Sequence, residues 1–321
     1  MTAGDTAQIT VTPAAGRRLR LALAAIWLLD AALQYQPYMF TKAFAQTLAA
    51  SARGNPPVIA GPVTWSAGII GHHPVAANAA FATIQLLLAL GITWRPAVKI
   101  ALAASVAWSI AVWWLGEGLG GVLAGSASPW SGAPGAVIIY ALLAVLLWPA
   151  DRDPSASFVA GRPLGRLPAR LLWLTLWGSM AFFALQSGGM APQGLHDMLS
   201  AMAAGEPGWI ASIDHSAAAL AAQHGPQVSA VFAIAFELIA IGIFLPGRAA
   251  RAAVILAVAM AAVIWAGQDF GAILTGSATD PNSGLLLGLL AVAYWPARNI
   301  VTTTAASQPA IKADAAAPAG V

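Results

Sequence analysis

The sequence predicts an all-α, polytopic membrane protein of eight transmembrane helices, arranged as two tandem, parallel four-helix bundles. Three observations lead there. Of the 321 residues, 59% are apolar and only 8% are charged, with a mean hydropathy of +0.74, which leaves too little polar surface for water-soluble domains. Apolar runs of about 17–25 residues, enough to cross a bilayer, lie at 19–37, 75–93, 97–115, 168–186, 226–245 and 250–266, with shorter ones at 134–149 and 283–297. The chain is also written twice. Leu33-Gln34, Gly54-Asn55-Pro56, Gly125-Ser126-Ala127 and Trp148-Pro149-Ala150 recur in order as Leu185-Gln186, Gly205-Glu206-Pro207, Gly276-Ser277-Ala278 and Trp295-Pro296-Ala297.

These landmarks divide the chain into a cytoplasmic tail (1–17), a first module (18–150), a cytoplasmic linker (151–165), a second module (166–298) and a C-terminal tail (299–321). The last is rich in Ala, Pro and Thr and is expected to be disordered. Residues 1–16 are polar and small, without a secretory cleavage pattern, so the first span is expected to persist. Each module opens with a span ending at Leu-Gln. An outer excursion of 35 to 40 residues follows, in which Leu195, Met198, Leu199 and Met202 have the spacing of a short amphipathic helix that lies on the membrane or caps the bundle. Two spans come next, separated by Trp94-Arg95-Pro96 or Pro246-Gly247-Arg248, which stop one helix and start another. The glycine-rich stretches at 116–121 and 267–271 then allow a broken helix end before the last span.

Orientation follows from the basic residues. With the N-terminus in the cytoplasm, thirteen of the fifteen Lys and Arg fall on that side and only Lys42 and Arg53 lie outside, as the positive-inside rule requires. The expected location is a bacterial inner membrane, with both termini cytoplasmic and the lipid bilayer as the immediate partner. Because each module has an even number of spans, the halves insert the same way up. The net charge of +3 is accounted for by topology, and no nucleic-acid partner is expected. Cysteine is absent, which excludes thiol–disulfide exchange and thiolate-bound clusters in this chain, so redox chemistry would need a bound cofactor or a partner.

Ionisable groups inside a membrane are costly unless paired or wetted, so each is a functional candidate. Four stand out: Asp30, Glu117, Glu237 and Asp269. Asp30 and Gln34 share a helix face. Aligning the halves matches Gln85 with Glu237 and Glu117 with Gln268, one acid and one amide in each half. These seven residues form either two related polar pockets for a ligand or proton, or hydrogen-bonded clamps between helices. The five histidines fall on the outer side. His72 and His224 match across the halves, each before a proline that opens a span, but no metal-binding spacing accompanies them and no metal is expected. No triad, phosphate loop or dinucleotide fingerprint is present, and the catalytic residues, if any, are not marked.

A first span running into an outer excursion with Leu-Gln and Gly-x-Pro, followed by three close spans, resembles the DoxX family of small four-helix bacterial membrane proteins. Phe182 to Gln186, Leu195 to Leu199 and Gly205-Glu206-Pro207 carry the likeness, echoed by Leu33-Gln34 and Gly54-Asn55-Pro56. It covers about 18–150 and 166–298. The resemblance implies a four-helix bundle and, from relatives linked to quinone-dependent sulfur oxidation, a subunit or accessory of a membrane redox assembly with a quinone as ligand. It assigns no catalytic residue. A transporter or channel for a small solute, proton or metal, and a scaffold without catalysis, remain alternatives.

Overall fold

A computed structural model describes residues 13–186, 193–203 and 206–296. The tail expected at 299–321, most of that expected at 1–17, and Gly205 of the second Gly-x-Pro lie outside the described residues. Among the described residues the structure is all-helical, without strands. In chain order the helices are α1 (Pro13–Leu33), α2 (Lys42–Ala50), α3 (Pro57–His72), α4 (Pro74–Thr93), α5 (Val98–Leu115), α6 (Ala136–Leu146), α7 (Gly161–Leu164), α8 (Arg166–Ala184), α9 (Gly194–Met202), α10 (Gly208–Gly242), α11 (Arg248–Ala266) and α12 (Asn282–Ala293).

Helices α4, α5, α8, α10 and α11 are long and apolar enough to cross a membrane, and this marks the chain as a helical membrane protein. Helix α1, at 21 residues, has the length but carries Arg17, Arg18, Arg20 and Asp30. Helices α6 and α12 are apolar but only 11 and 12 residues long.

Packing is sequential. Helix α1 lies on α4, α4 on α5 and α5 on α6, while α8 lies on α10, α10 on α11 and α11 on α12. Helices α6 and α12 meet each other, so one buried core runs through all eight, from Trp27 and Tyr140 to Trp173 and Tyr294. Its polar atoms are tied off locally: Trp173 Nε1 donates to Ile239 O at 2.8 Å, and Tyr294 Oη donates to Ala169 O at 2.6 Å. At the opposite end from the Leu-Gln corners, the segment between α6 and α8 is held by Arg162 on Asp151 (2.6 Å) and Arg166 on Asp153 (2.9 Å).

The outer excursions are more regular than expected. Helix α9 forms where the amphipathic spacing places it, and it caps: Leu195 and Leu199 are buried against Trp130, Ala218 and Ala221. The stretch from Gly208 is a single helix of 35 residues, continuous with the span expected to begin at 226. Nothing between Trp209 and Gln223 breaks a helix, and Pro226 produces only a kink at His224 (φ −135°). In the first half the same point is a full break, with His73 leaving helical geometry between α3 and α4.

Both glycine-rich stretches turn through left-handed backbone, at residues 118–121 and 269–272. Here glycine is required by close approach. A Cβ on Gly120 would overlap Pro134 O, and one on Gly271 would overlap Pro281. Each turn therefore presses directly on the segment entering the last helix of its half.

A candidate ligand cavity among the N-terminal helices

Helix α1 ends with Asp30 and Gln34 one turn apart, both buried (1% and 3% exposed). The end of the helix is pinned by Asn78 Nδ2, which donates to Gln34 O at 2.6 Å. Trp27 Nε1 donates to Ser105 Oγ (3.1 Å), and the Trp27 ring lies on Tyr140 with 4.2 Å between centroids. Tyr140 Oη in turn donates to Asp30 Oδ2 at 2.5 Å. Three helices thus fix the Asp30 carboxyl and leave Oδ1 without a partner.

Asp30 lines a cavity of about 310 Å³. Its polar lining is Asp30, Gln34, Ser66, Gln85, Glu117, Thr279 and Asp280, and its aromatic walls are Trp27, Phe44, Trp65, Phe81 and Trp108. Unpartnered and buried, Gln34 Oε1, Gln85 Oε1 and Glu117 Oε2 join Asp30 Oδ1. The other Glu117 oxygen accepts the Val137 N–H at 3.2 Å, capping the start of α6. Among the described residues no Lys, Arg or His lines the cavity. Burial, and secondarily the Asp280 carboxylate, push the Glu117 carboxyl up to about 8, against the opposing pull of the Val137 N–H. Asp280 is also raised by burial, although Thr279 Oγ1 (2.9 Å) and the Asn282 N–H (2.7 Å) bond to it.

Asp280 reaches the cavity from the C-terminal half of the chain, on the loop before α12. Gln36 Nε2 holds that loop through Ala278 O at 3.0 Å. Glu117, Thr279 and Asp280 also line a wider groove of about 860 Å³ that includes Arg53, so these residues form a wall common to both spaces. On the far side of the cavity Trp65 and Ile69 of α3 are exposed, leaving an apolar flank.

Four of the seven residues expected at a polar site therefore converge: Asp30, Gln34, Gln85 and Glu117. The other three do not. Glu237 is on the exposed face of α10, beside Ile234, Leu238 and Ile241. The buried positions of α4 (Asn78, Ala82, Gln85, Leu88, Ala89, Ile92) recur in α10 at Ser229, Ala233, Phe236, Ile239, Ala240 and Ile243, so Phe236 rather than Glu237 corresponds to Gln85. Gln268 is a clamp: its Oε1 accepts the Gly284 N–H (3.3 Å), and its Nε2 donates to Ser283 Oγ (2.9 Å) and Pro129 O (3.1 Å). Asp269 is buried and shares a hydrogen bond with Asp214; its pKa is raised by burial first and then by the Asp214 and Glu206 charges.

At the corresponding place among the C-terminal helices the described residues are differently composed. The burial pattern of α1 recurs in α8 with Met180 in the place of Asp30 and Ala184 in that of Gln34. The space itself is taken by Trp130, from the loop before α6, which packs edge-on against Phe232 (4.6 Å) and lies against Gly267. Each half thus receives a loop from the other: Asp280 enters a cavity, and Trp130 fills one.

Sequence reasoning missed Asp280 and the aromatic walls. Asp280-Pro281-Asn282 carries a turn signal, but nothing local indicates that its carboxyl crosses to the other half. Of the histidines, His72 Nδ1 bonds to Gly68 O in its own helix (2.6 Å), and His224 is exposed at the α10 kink. Among the described residues no three His, Cys, Asp or Glu side chains are grouped to hold a metal. No protein-family model, curated protein or solved structure matches this chain.

Proposed function

We propose that this chain is a multi-pass protein of the bacterial inner membrane, built from two DoxX-like four-helix halves with both termini cytoplasmic. In this reading the N-terminal half binds and carries a small amphiphilic molecule, and the C-terminal half is its packed support. The single observation that carries it is that Asp30, Gln34, Gln85 and Glu117, each with an unpartnered buried oxygen, line one cavity whose other walls are largely aromatic and aliphatic. Orphaned polar atoms in a core cost about 1–3 kcal/mol each, and a bound molecule that donates to them removes that cost.

Duplication is supported by the matched burial patterns and by paired details. Trp113 Nε1 donates to Pro134 O as Trp265 Nε1 does to Pro281 O, and Glu117 takes the Val137 N–H as Gln268 takes that of Gly284. Eight passes are supported if α6 and α12, each about 16–18 Å long, complete their crossing through the glycine-rich turns, whose irregular backbone is enclosed by protein. The distribution of Lys and Arg supports the orientation.

The deciding experiment replaces Gln85 by Phe, the residue at the corresponding place in α10. Wild-type protein extracted in mild detergent retains a small molecule detectable by mass spectrometry, and Gln85→Phe does not. Equal retention by both, or none by either, contradicts the reading.

A second reading, an accessory of a membrane redox assembly, is favoured by the same oxygens if the occupant is a quinol. Its two hydroxyls would donate where a quinone's carbonyls could not, and its ring would lie on the tryptophans. Absorbance spectra and quinone extraction of the purified protein separate this from a carrier of another amphiphile.

A further inference from the structure

We infer that the molecule this cavity selects is a protonated primary amine with an aromatic or branched apolar body. The inference rests on the small-molecule reading above and names its ligand class. Asp30 Oδ1, Gln34 Oε1 and Gln85 Oε1 are acceptors without a partner, on side chains more than nine-tenths buried that line the cavity. A ligand has to bring the donors, and an ammonium group brings three N–H bonds on one atom.

Charge points the same way. The carboxyls of Asp30, Glu117 and Asp280 line one space without a basic residue. Tyr140 is the other titratable group in contact, and it donates its hydroxyl to Asp30; Arg53 lines the outer groove but not the cavity. An anionic ligand would find no basic partner here, whereas an ammonium group meets three carboxyls. Trp27, Trp65, Trp108 and Phe81 line the same space, and aromatic rings attract a desolvated cation. The volume of about 310 Å³ accommodates a single aromatic ring with a short amine-bearing chain.

Binding is coupled to protons. Glu117 holds its proton at neutral pH when the cavity is empty, because burial and Asp280 disfavour its charge. An entering ammonium ion favours the carboxylate, so the Glu117 O–H bond breaks and the proton leaves to water through the groove that Glu117 and Asp280 border. One cation enters and one proton leaves, with no net change of charge.

The test uses the full chain in lipid nanodiscs, with phenethylammonium as probe and 2-phenylethanol as its neutral counterpart, read by tryptophan fluorescence and by calorimetry in two buffers of different ionisation enthalpy. Phenethylammonium should bind saturably, at least about tenfold more tightly than the alcohol (~1.4 kcal/mol), with release of close to one proton and weaker binding at pH 5.5 than at 7.5. Glu117→Gln should abolish the proton release while keeping the Val137 N–H bonded, as Gln268 does for Gly284; Asp30→Asn should weaken binding at least about tenfold. If the alcohol or a soluble hydroquinone binds as tightly as the ammonium, or if no proton is released, the cationic assignment is overturned while the small-molecule reading survives. If no probe binds and Gln85→Phe retains whatever the wild type retains, both are overturned.

Discussion

Replacing Trp130 by Ala should open in the C-terminal half the space that is already open in the N-terminal half. Trp130 is 9% exposed, packs on Leu195, Leu199, Ala218 and Ala221, and meets the Phe232 ring edge-on at 4.6 Å. Deleting a buried tryptophan side chain costs about 3–5 kcal/mol, the upper part of that range applying where the walls cannot collapse. Here they are held apart: α9 and α10 are tied by the cluster itself, and Gln268 is fixed to Pro129, Ser283 and Gly284. Loss of the ring pair contributes about 0.5–1.5 kcal/mol of this, so we expect a destabilisation of about 4 kcal/mol. Thermal unfolding in detergent measures it, and added indole should restore most of the loss by filling the vacated volume, with no comparable effect on wild type. A variant as stable as wild type, or an equal indole response in both, would refute the claim that Trp130 occupies a cavity equivalent to the first.

Four further outcomes are expected. Glu117 binds its proton more tightly folded (about 8) than unfolded (ordinary value 4.5), so its contribution to stability is fully present below about pH 4.5 and is lost as pH rises through about 8; the melting temperature of Glu117→Gln should be flatter than wild type between pH 5 and 9. Tyr140→Phe removes the hydroxyl that bonds Asp30 and leaves that carboxyl bare, for a loss of about 1.5–3 kcal/mol in chemical denaturation. Gly271→Ala forces a side chain into Pro281 at a φ of 81°, and should lower stability by about 2 kcal/mol or more in the same assay. Glu237→Gln, on the exposed face of α10, should leave binding at the N-terminal cavity unchanged within error, and a loss comparable to that of Asp30→Asn would show that the site has been misplaced.

The spans were legible because burial in lipid demands long apolar runs, and α4, α5, α8 and α11 begin and end within a few residues of the runs that forecast them. Asp30 and Gln34 could be read as neighbours because they lie one helical turn apart, a spacing that is local. Helical register between the halves was not legible. The landmarks used for alignment are turns, and a slip of one residue rotates a helix by about 100°, which moved the expected partner of Gln85 from buried Phe236 to exposed Glu237. The continuity of α10 was obscured by Pro226, which reads as a boundary but is accommodated by a kink. Least legible was the exchange of loops. Asp280 and Trp130 act far along the chain from the side chains they meet, Asp280 beside Asp30 and Glu117 and Trp130 beside Leu195 and Phe232, and no local pattern marks such contacts.

In the function we propose, the N-terminal cavity is a binding site and the corresponding space in the C-terminal half is not. A density map of the chain purified from its own membrane, at a resolution that shows small molecules, decides between them. We expect an extra molecule within hydrogen-bonding distance of Asp30 Oδ1 and Gln85 Oε1, with Trp130 in place opposite Phe232. A cavity closed by its own side chains, with Asp30 and Gln85 bonded to protein groups, or a bound molecule where Trp130 was expected, would contradict this division.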